Sequence, residues 1–249
     1  STETFFRIEE NSSIKETMDI YLLKLSRFLN DSTTIRGARF FQQDFYLFRN
    51  ELDFSLRARF TERRNLAQFA GGIEKGFGNE KNIRIRLQLA DEIGNQTEFI
   101  ASNDNYFSKS AGNRNREIIK SELSSDFTYR PVNNIDAGFK ITTARIEDRF
   151  PAIPTEIDIN SQLFRINFSF IGIGRLRIEL ERSEYVSGSS NFIPYEVTNG
   201  NKLGKNYYWR FYFDYRLAQN FSASVNYDGR VLGDSGVIHS LRAEARAFF

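Results

Sequence analysis

The sequence predicts an all-β fold: one antiparallel up-and-down transmembrane β-barrel of about ten to twelve strands, occupying 1–249 as a single domain. Three observations predict it. Apolar and polar residues alternate with period two over recurring segments of about 10 to 13 residues, the length at which a tilted strand crosses a bilayer's apolar layer. Aromatic residues make up 15% of the chain, with 25 Phe and 11 Tyr, although hydrophobic residues reach only 40% and mean hydropathy is negative. No run approaches the roughly 20 apolar residues of a spanning helix. A barrel reconciles these facts because only every second residue meets lipid.

Taken in order, Thr2 to Glu9 reads as a strand. Ile14 to Leu29 fits either an amphipathic helix or a strand with Tyr21, Leu23 and Leu25 on one face, and a strand over Met18 to Leu29 is preferred. Leu52, Phe54, Leu56, Ala58 and Phe60 alternate with Asp53, Ser55, Arg57 and Arg59; Ile83, Ile85, Leu87 and Leu89 alternate with Arg84, Arg86 and Gln88. Ala67 to Gly76 is expected as a weaker, glycine-rich strand joining these two. Leu123 to Tyr129, Ile135 to Ile141, Phe164 to Phe170 and Leu176 to Leu180 continue the pattern. Tyr207 to Leu217 is the clearest, with Trp209, Phe211, Phe213 and Tyr215 on one face and Arg210, Asp214 and Arg216 on the other. Phe221 to Arg230 and Val237 to Phe249 complete the set.

The connections support this order. If the C-terminus is periplasmic, short turns are expected on the periplasmic rim at Phe77 to Lys81, Pro131 to Asn134, Gly172 to Gly174 and Ala218 to Asn220. Loops on the outer rim are expected at Thr61 to Leu66, Asp91 to Arg116, Glu147 to Glu156, Glu184 to Lys205 and Leu232 to Gly236. The four prolines, at 131, 151, 154 and 194, fall in predicted connections, where a missing N–H removes no ladder bond.

The alternation assigns side chains to two environments. A lumen-facing charged network is expected from Arg57, Arg59, Arg84, Arg86, Arg175, Arg177, Glu179, Glu181, Arg210, Asp214, Arg216, Arg242, Glu244 and Arg246. Lipid-facing positions are expected at Trp209, Phe211, Phe213, Tyr215, Phe164, Phe168 and Phe249. Opposite charges on adjacent strands fill a narrow lumen with ion pairs, whereas unpaired Arg at a constriction would bias an open pore toward anions.

Other chemistry is thinly provided. There is no Cys, which removes disulfides and thiolate sites, and the net charge of +2 gives no field that would gather nucleic acid. The single His239 shares parity with Leu241, on the lipid-facing side, and points away from any lumenal substrate. No catalytic residue, metal site or cofactor is therefore assigned, and the chain is read as non-enzymatic. Asp91-Glu92 and Glu147-Asp148 are acidic pairs near the outer rim without ligand spacing, read as solvated loop charge. Asn95-Gln96-Thr97 and Asn220-Phe221-Ser222 match a glycosylation sequon only formally. The chain starts at Ser1 with no initiator Met and no basic-plus-apolar leader, as expected of a mature form or the end piece of a longer polypeptide.

At Leu241, Ala243, Ala245, Ala247 and Phe249 the pattern resembles the C-terminal targeting signal of bacterial outer-membrane proteins, departing from it in carrying three Ala at outward positions. The resemblance implies a bacterial outer-membrane location, contact with outer-membrane lipid and lipopolysaccharide, and recognition of the last strand by the barrel-assembly machinery. Phe40-Phe41-Gln42-Gln43-Asp44-Phe45 and Tyr195-Glu196-Val197-Thr198-Asn199-Gly200 look like the C-terminal barrel regions of long surface proteins of Bacteroidota-like bacteria. That likeness implies other subunits of a surface assembly and a role as anchor, scaffold or small-solute pore. A soluble or periplasmic all-β binding protein and an outer-membrane barrel hydrolase are the alternatives.

Overall fold

The computed structural model describes residues 2–11, 36–69, 72–109, 112, 115–170, 172–188, 195–198, 200–218 and 220–247. The fold is all-β. Its strands are β1 (Thr2–Asn11), β2 (Arg36–Leu47), β3 (Phe54–Phe69), β4 (Gly72–Ala90), β5 (Ile93–Ser108), β6 (Arg116–Val132), β7 (Ile135–Asp148), β8 (Thr155–Phe170), β9 (Gly174–Ser187), β10 (Gly204–Ala218), β11 (Phe221–Leu232) and β12 (Ile238–Ala247). They form one 12-stranded sheet in sequence order. Each strand pairs antiparallel with its neighbours in sequence, the expected up-and-down order, and the strand number is the upper end of the expected range. One four-residue helix, α1 (Tyr195–Thr198), lies in the β9–β10 connection. No helix among the described residues is long and apolar enough to cross a membrane, which says nothing of strands.

Because side chains alternate across a strand, register decides which residues share a face. The ladders place Arg57, Arg84, Glu98, Ser124, Thr142, Ser161, Ser183 and Asn206 in one continuous row from β3 to β10. On the opposite face runs a row of Phe54, Leu87, Asn95, Phe127, Phe139, Phe164, Leu180, Trp209, Gly229 and His239, from β3 to β12. The sheet thus has a charged face and an aromatic face along its length.

Burial on the two faces is inverted relative to a water-soluble sheet. Asp44, Ser183 and Asn206 on the charged face are 2%, 1% and 0% exposed, while Leu123 and Leu241 on the aromatic face are 53% and 70% exposed. A side chain on a curved sheet is covered when it lies on the concave side, so the charged face is the inner one.

The strands outrun the alternation that reveals them, with β4 and β6 reaching 19 and 17 residues. On the aromatic face the apolar positions form a belt nearest the rim where β1 begins and β12 ends: Phe54 to Phe60, Ile83 to Leu89, Leu123 to Tyr129, Ile135 to Ile141, Phe164 to Phe170 and Leu176 to Leu180. At about 3.3 Å per residue and a tilt near 40°, a seven-residue segment of this belt rises roughly 18 Å. Toward the opposite rim the same face becomes a charged collar carrying Glu62, Arg64, Lys75, Arg145, Asp158, Arg182 and Glu184.

This collar accounts for the departures from the sequence reading. Thr61 to Leu66 is the continuation of β3, not a loop, and Phe77 to Lys81 lies inside β4, not in a turn. Ala67 to Gly76 is no separate strand: it holds the end of β3 and the start of β4, which pair with each other as far as Phe69 and Gly72. Asp91 to Arg116 contains a whole strand, β5, entered by a two-residue turn. That turn, Asp91-Glu92, lies on the rim shared with the termini, opposite to the rim expected for it. Strand β2 was not anticipated as an element either. The reading of Met18 to Leu29 as a strand falls outside the described residues. The other expected connections are where the alternation placed them, and Pro131 sits at the register shift between Tyr129 and Val132, where the ladder is already interrupted.

Candidate functional site

The register places all fourteen residues expected to form the charged network on the charged face: Arg57 and Arg59 on β3, Arg84 and Arg86 on β4, Arg175, Arg177, Glu179 and Glu181 on β9, Arg210, Asp214 and Arg216 on β10, and Arg242, Glu244 and Arg246 on β12. Most of their charge is matched within reach. Asp44 on β2 takes Arg59 Nε at 2.7 Å and has Arg57 Nε at 3.9 Å. Glu98 accepts from Arg84 Nη2 at 2.8 Å and from Asn82 Nδ2 at 2.6 Å. Glu179 holds Arg210 at 3.1 Å and Arg177 at 3.8 Å, and Glu244 lies between Arg242 and Arg246. Asp44 and Glu98 were absent from the predicted network, although their place on β2 and β5 makes them the counter-ions of its first half.

Two further pairs reach across an intervening strand. Arg165 on β8 bonds Asp126 on β6, passing over Gly138 of β7, and Arg63 on β3 bonds Asp104 on β5 at 3.0 Å, passing over Gly78 of β4. A Cβ at position 138 would fall 2.6 Å from Arg165 Nε. Glycine is what leaves the guanidinium room to cross the strand.

Near the rim opposite the termini the charged face turns apolar. Ile146, Ile157, Tyr185 and Val197 form a buried cluster joined by Ile118 and Ile159. Val197 belongs to α1, so this described part of the β9–β10 connection lies over the concave face and is held there. Asn201 Nδ2 donates to the Tyr185 hydroxyl at 2.8 Å, and the Tyr208 hydroxyl donates to Asn201 Oδ1. Asn206 accepts from Lys202 N at 3.3 Å and from Gly233 N at 3.2 Å, and donates to the Lys202 carbonyl at 2.8 Å, tying this connection to the β11–β12 turn. Burial pushes the Tyr185 phenol above its ordinary value, against the opposing hydrogen bond from Asn201. No periodic signal marks this cap, because its contacts join distant parts of the chain.

The aromatic face carries Trp209, Phe211, Phe213, Tyr215, Phe164 and Phe168, as the alternation requires, whereas Phe249 lies outside the described residues. His239 is also on this face. Its Nδ1 is 2.8 Å from the Tyr227 hydroxyl, its ring stacks on Tyr227, and Trp209 Nε1 donates to the same hydroxyl at 3.3 Å. The indole lies over Gly229, where a Cβ would be 2.0 Å from Nε1.

Asp148 corrects the reading of Glu147-Asp148 as solvated loop charge. It is 1% exposed, and its Oδ1 accepts from Glu117 N and Phe150 N, both at 3.1 Å, which fixes the start of the β7–β8 loop. Among the described residues no group of three His, Cys, Asp or Glu side chains is placed to hold a metal ion.

No family model and no curated sequence matches the chain. Among solved structures it is similar to the NanC porin, with 10% identity over 85% of this chain and 94% of that one and a TM-score of 0.42. It is similar to the beta domain of the Bordetella autotransporter BrkA at 10% identity, 88% and 94% coverage and a TM-score of 0.38. LpxR from Salmonella typhimurium is covered in full at 9% identity, with a TM-score of 0.34. The assignment of fold rests on the ladders and burial described above.

Proposed function

We propose that the chain closes as a transmembrane β-barrel of a bacterial outer membrane, with the charged face lining the lumen and the aromatic face in lipid. It would serve as an anchor or scaffold of a surface assembly, without catalytic chemistry of its own. The observation that carries this reading is the inverted burial: a sheet that covers Asp44 and Asn206 while exposing Leu123 and Leu241 is matched to an apolar surrounding outside and a polar interior. The rim holding both described ends is then periplasmic, and the β9–β10 connection stands in the outer mouth.

Anchor is favoured over open pore by two features. Eight of the ten network arginines lie within 4.0 Å of a carboxylate, Asp44 and Glu98 included, and the Val197 cluster draws a connection into the mouth. A hydrolase would need a base facing the lumen, whereas His239 is engaged with Tyr227 on the aromatic face. Recognition of the last strand by the barrel-assembly machinery, and kinship with the ends of long Bacteroidota-like surface proteins, belong to the same proposal.

The test is heat-modifiability. Detergent-extracted protein, left unboiled in SDS, should migrate differently from the boiled chain. Identical migration together with full solubility in plain buffer would sink the membrane reading in favour of a soluble β-sheet binding protein.

A further inference from the structure

We infer that a hollow on strands β7 to β11, astride the line where the belt gives way to the collar, binds an outer-leaflet lipid with an anionic phosphate headgroup whose acyl chains continue down the belt. This rests on the membrane reading above. The hollow has a volume of about 400 Å³, and two adjacent rows of the aromatic face line it. The lower row is Phe139, Phe164, Leu180 and Trp209, and the upper holds Gln162, Arg182 and Tyr207.

The shape comes from one glycine. On β11 the lower row continues as Gly229, and the Trp209 indole lies over it while Nε1 donates to the Tyr227 hydroxyl at 3.3 Å. The ring is thereby drawn toward β11 and away from Leu180 on β9, which leaves room between the strands.

The chemistry is ordered along the strands. Leu180 and Arg182 are consecutive aromatic-face positions of β9, so an apolar row gives way to a guanidinium over about 5 Å of height after tilt. Below the hollow the face stays apolar, through Ile178 and Leu176 on β9 and Phe211 and Phe213 on β10. Arg182 is 45% exposed with Nη2 at 3.4 Å from Glu184, and the register sets Lys205 opposite Glu184, so two cations stand over one carboxylate. Glu181, at the edge of the hollow, belongs to the charged face, where Ser161 Oγ donates to it. A hydrophilic anion has no use for the apolar row, and a neutral lipid has none for the surplus cation. An anionic lipid uses both, with its phosphate on Arg182 and its methylenes on Leu180, Phe164 and the track beneath them. In the orientation proposed above, this step from Leu180 to Arg182 is the height at which outer-leaflet acyl chains meet their headgroups.

The experiment uses the full chain reconstituted into vesicles of phosphatidylcholine and phosphatidylglycerol in equal amounts, the second carrying a phosphate with no compensating cation. Trp209 is the chain's single tryptophan, so its fluorescence reports on this hollow. Bromine on the acyl chains of one lipid or the other quenches it on contact. In the wild type, brominated phosphatidylglycerol should quench more than brominated phosphatidylcholine, to an extent that corresponds to about fivefold preference for one surplus cation. Arg182→Gln should remove that preference. Arg145→Gln, on the same face two rows further from the belt, should keep it. An unchanged preference in Arg182→Gln or its loss in Arg145→Gln overturns the inference. Heat-modifiability is followed in every variant to confirm folding. A wild type quenched equally by both lipids refutes this site alone, whereas a Trp209 that neither brominated lipid quenches refutes the membrane reading beneath it.

Discussion

Arg165 and Asp126 meet through two parallel hydrogen bonds, Nη1 to Oδ2 at 3.0 Å and Nη2 to Oδ1 at 2.9 Å, although a whole strand separates them. Both side chains are 22% exposed, so solvent screens the pair only in part. Removing Asp126 as Asn should cost about 2 kcal/mol of folding stability. Gly138→Ala should cost a similar amount by pushing the guanidinium off its partner. In an Arg165→Ala background the Gly138→Ala change should be nearly neutral, a non-additivity readable from urea midpoints in detergent micelles. Additive losses would show that Gly138 acts through backbone geometry.

The belt and the collar should respond differently to charge. Phe164→Arg places a guanidinium on the aromatic face inside the belt and should destabilise by about 2–4 kcal/mol in bilayers. Gln162→Arg, one step along the same face in the collar, should change stability by less than about 1 kcal/mol. Reversible unfolding from lipid vesicles measures both, and equal losses would argue that the belt does not contact acyl chains.

The mouth cap should be releasable without unfolding the sheet. Val197→Asp puts a carboxylate among Ile146, Ile157 and Tyr185 and should free the β9–β10 connection, while Val197→Ala should weaken its docking by about 1–2 kcal/mol. Limited proteolysis should then cut within 188–203 while the heat-modifiable band persists. In planar bilayers Val197→Asp should raise conductance above the wild type.

Alkaline pH should loosen the same cap. The Tyr185 phenol is raised in the folded protein because burial disfavours its charged form. A raised folded value means that the stabilisation is present below the ordinary tyrosine pKa near 10 and fades as pH climbs through the folded value. Protease protection of the connection should be flat at neutral pH and fall above about pH 10. Tyr185→Phe should remove the part of that fall due to this residue.

The fold was legible wherever a strand separates two environments. Tyr207 to Leu217 has rings on one side and charges on the other, so its faces could be assigned from sequence. Strand β5 could not be found that way. Its aromatic-face positions Asn95, Thr97, Asn103 and Asn105 are as polar as Gln96, Glu98, Ser102 and Asp104 opposite, and Asn95 is satisfied by Ser125 Oγ at 2.9 Å rather than by an apolar neighbour. In β2 the doublets Phe40-Phe41 and Gln42-Gln43 cancel the alternation. The twelve strands described and the upper expected count of twelve therefore agree in number but not in identity: β2 and β5 are additional, Ala67 to Gly76 is no strand of its own, and the strand expected over Met18 to Leu29 lies outside the described residues. For the charged network, face membership was readable but pairing was not. Which Arg meets Asp44, Glu98 or Asp126 depends on register across distant segments, and the Asn206 hub depends on where two loops converge.

The collar also sets the height at which the outer connections stand. Ten residues of β4, from Gly72 to Lys81, run past the apolar belt, a rise of roughly 25 Å after tilt. In the proposed membrane orientation, anything displayed on the β3–β4 hairpin or the β9–β10 connection would be lifted clear of the headgroups on a hydrogen-bonded wall. A bulky fusion inserted there has room that one at the Asp91-Glu92 turn lacks.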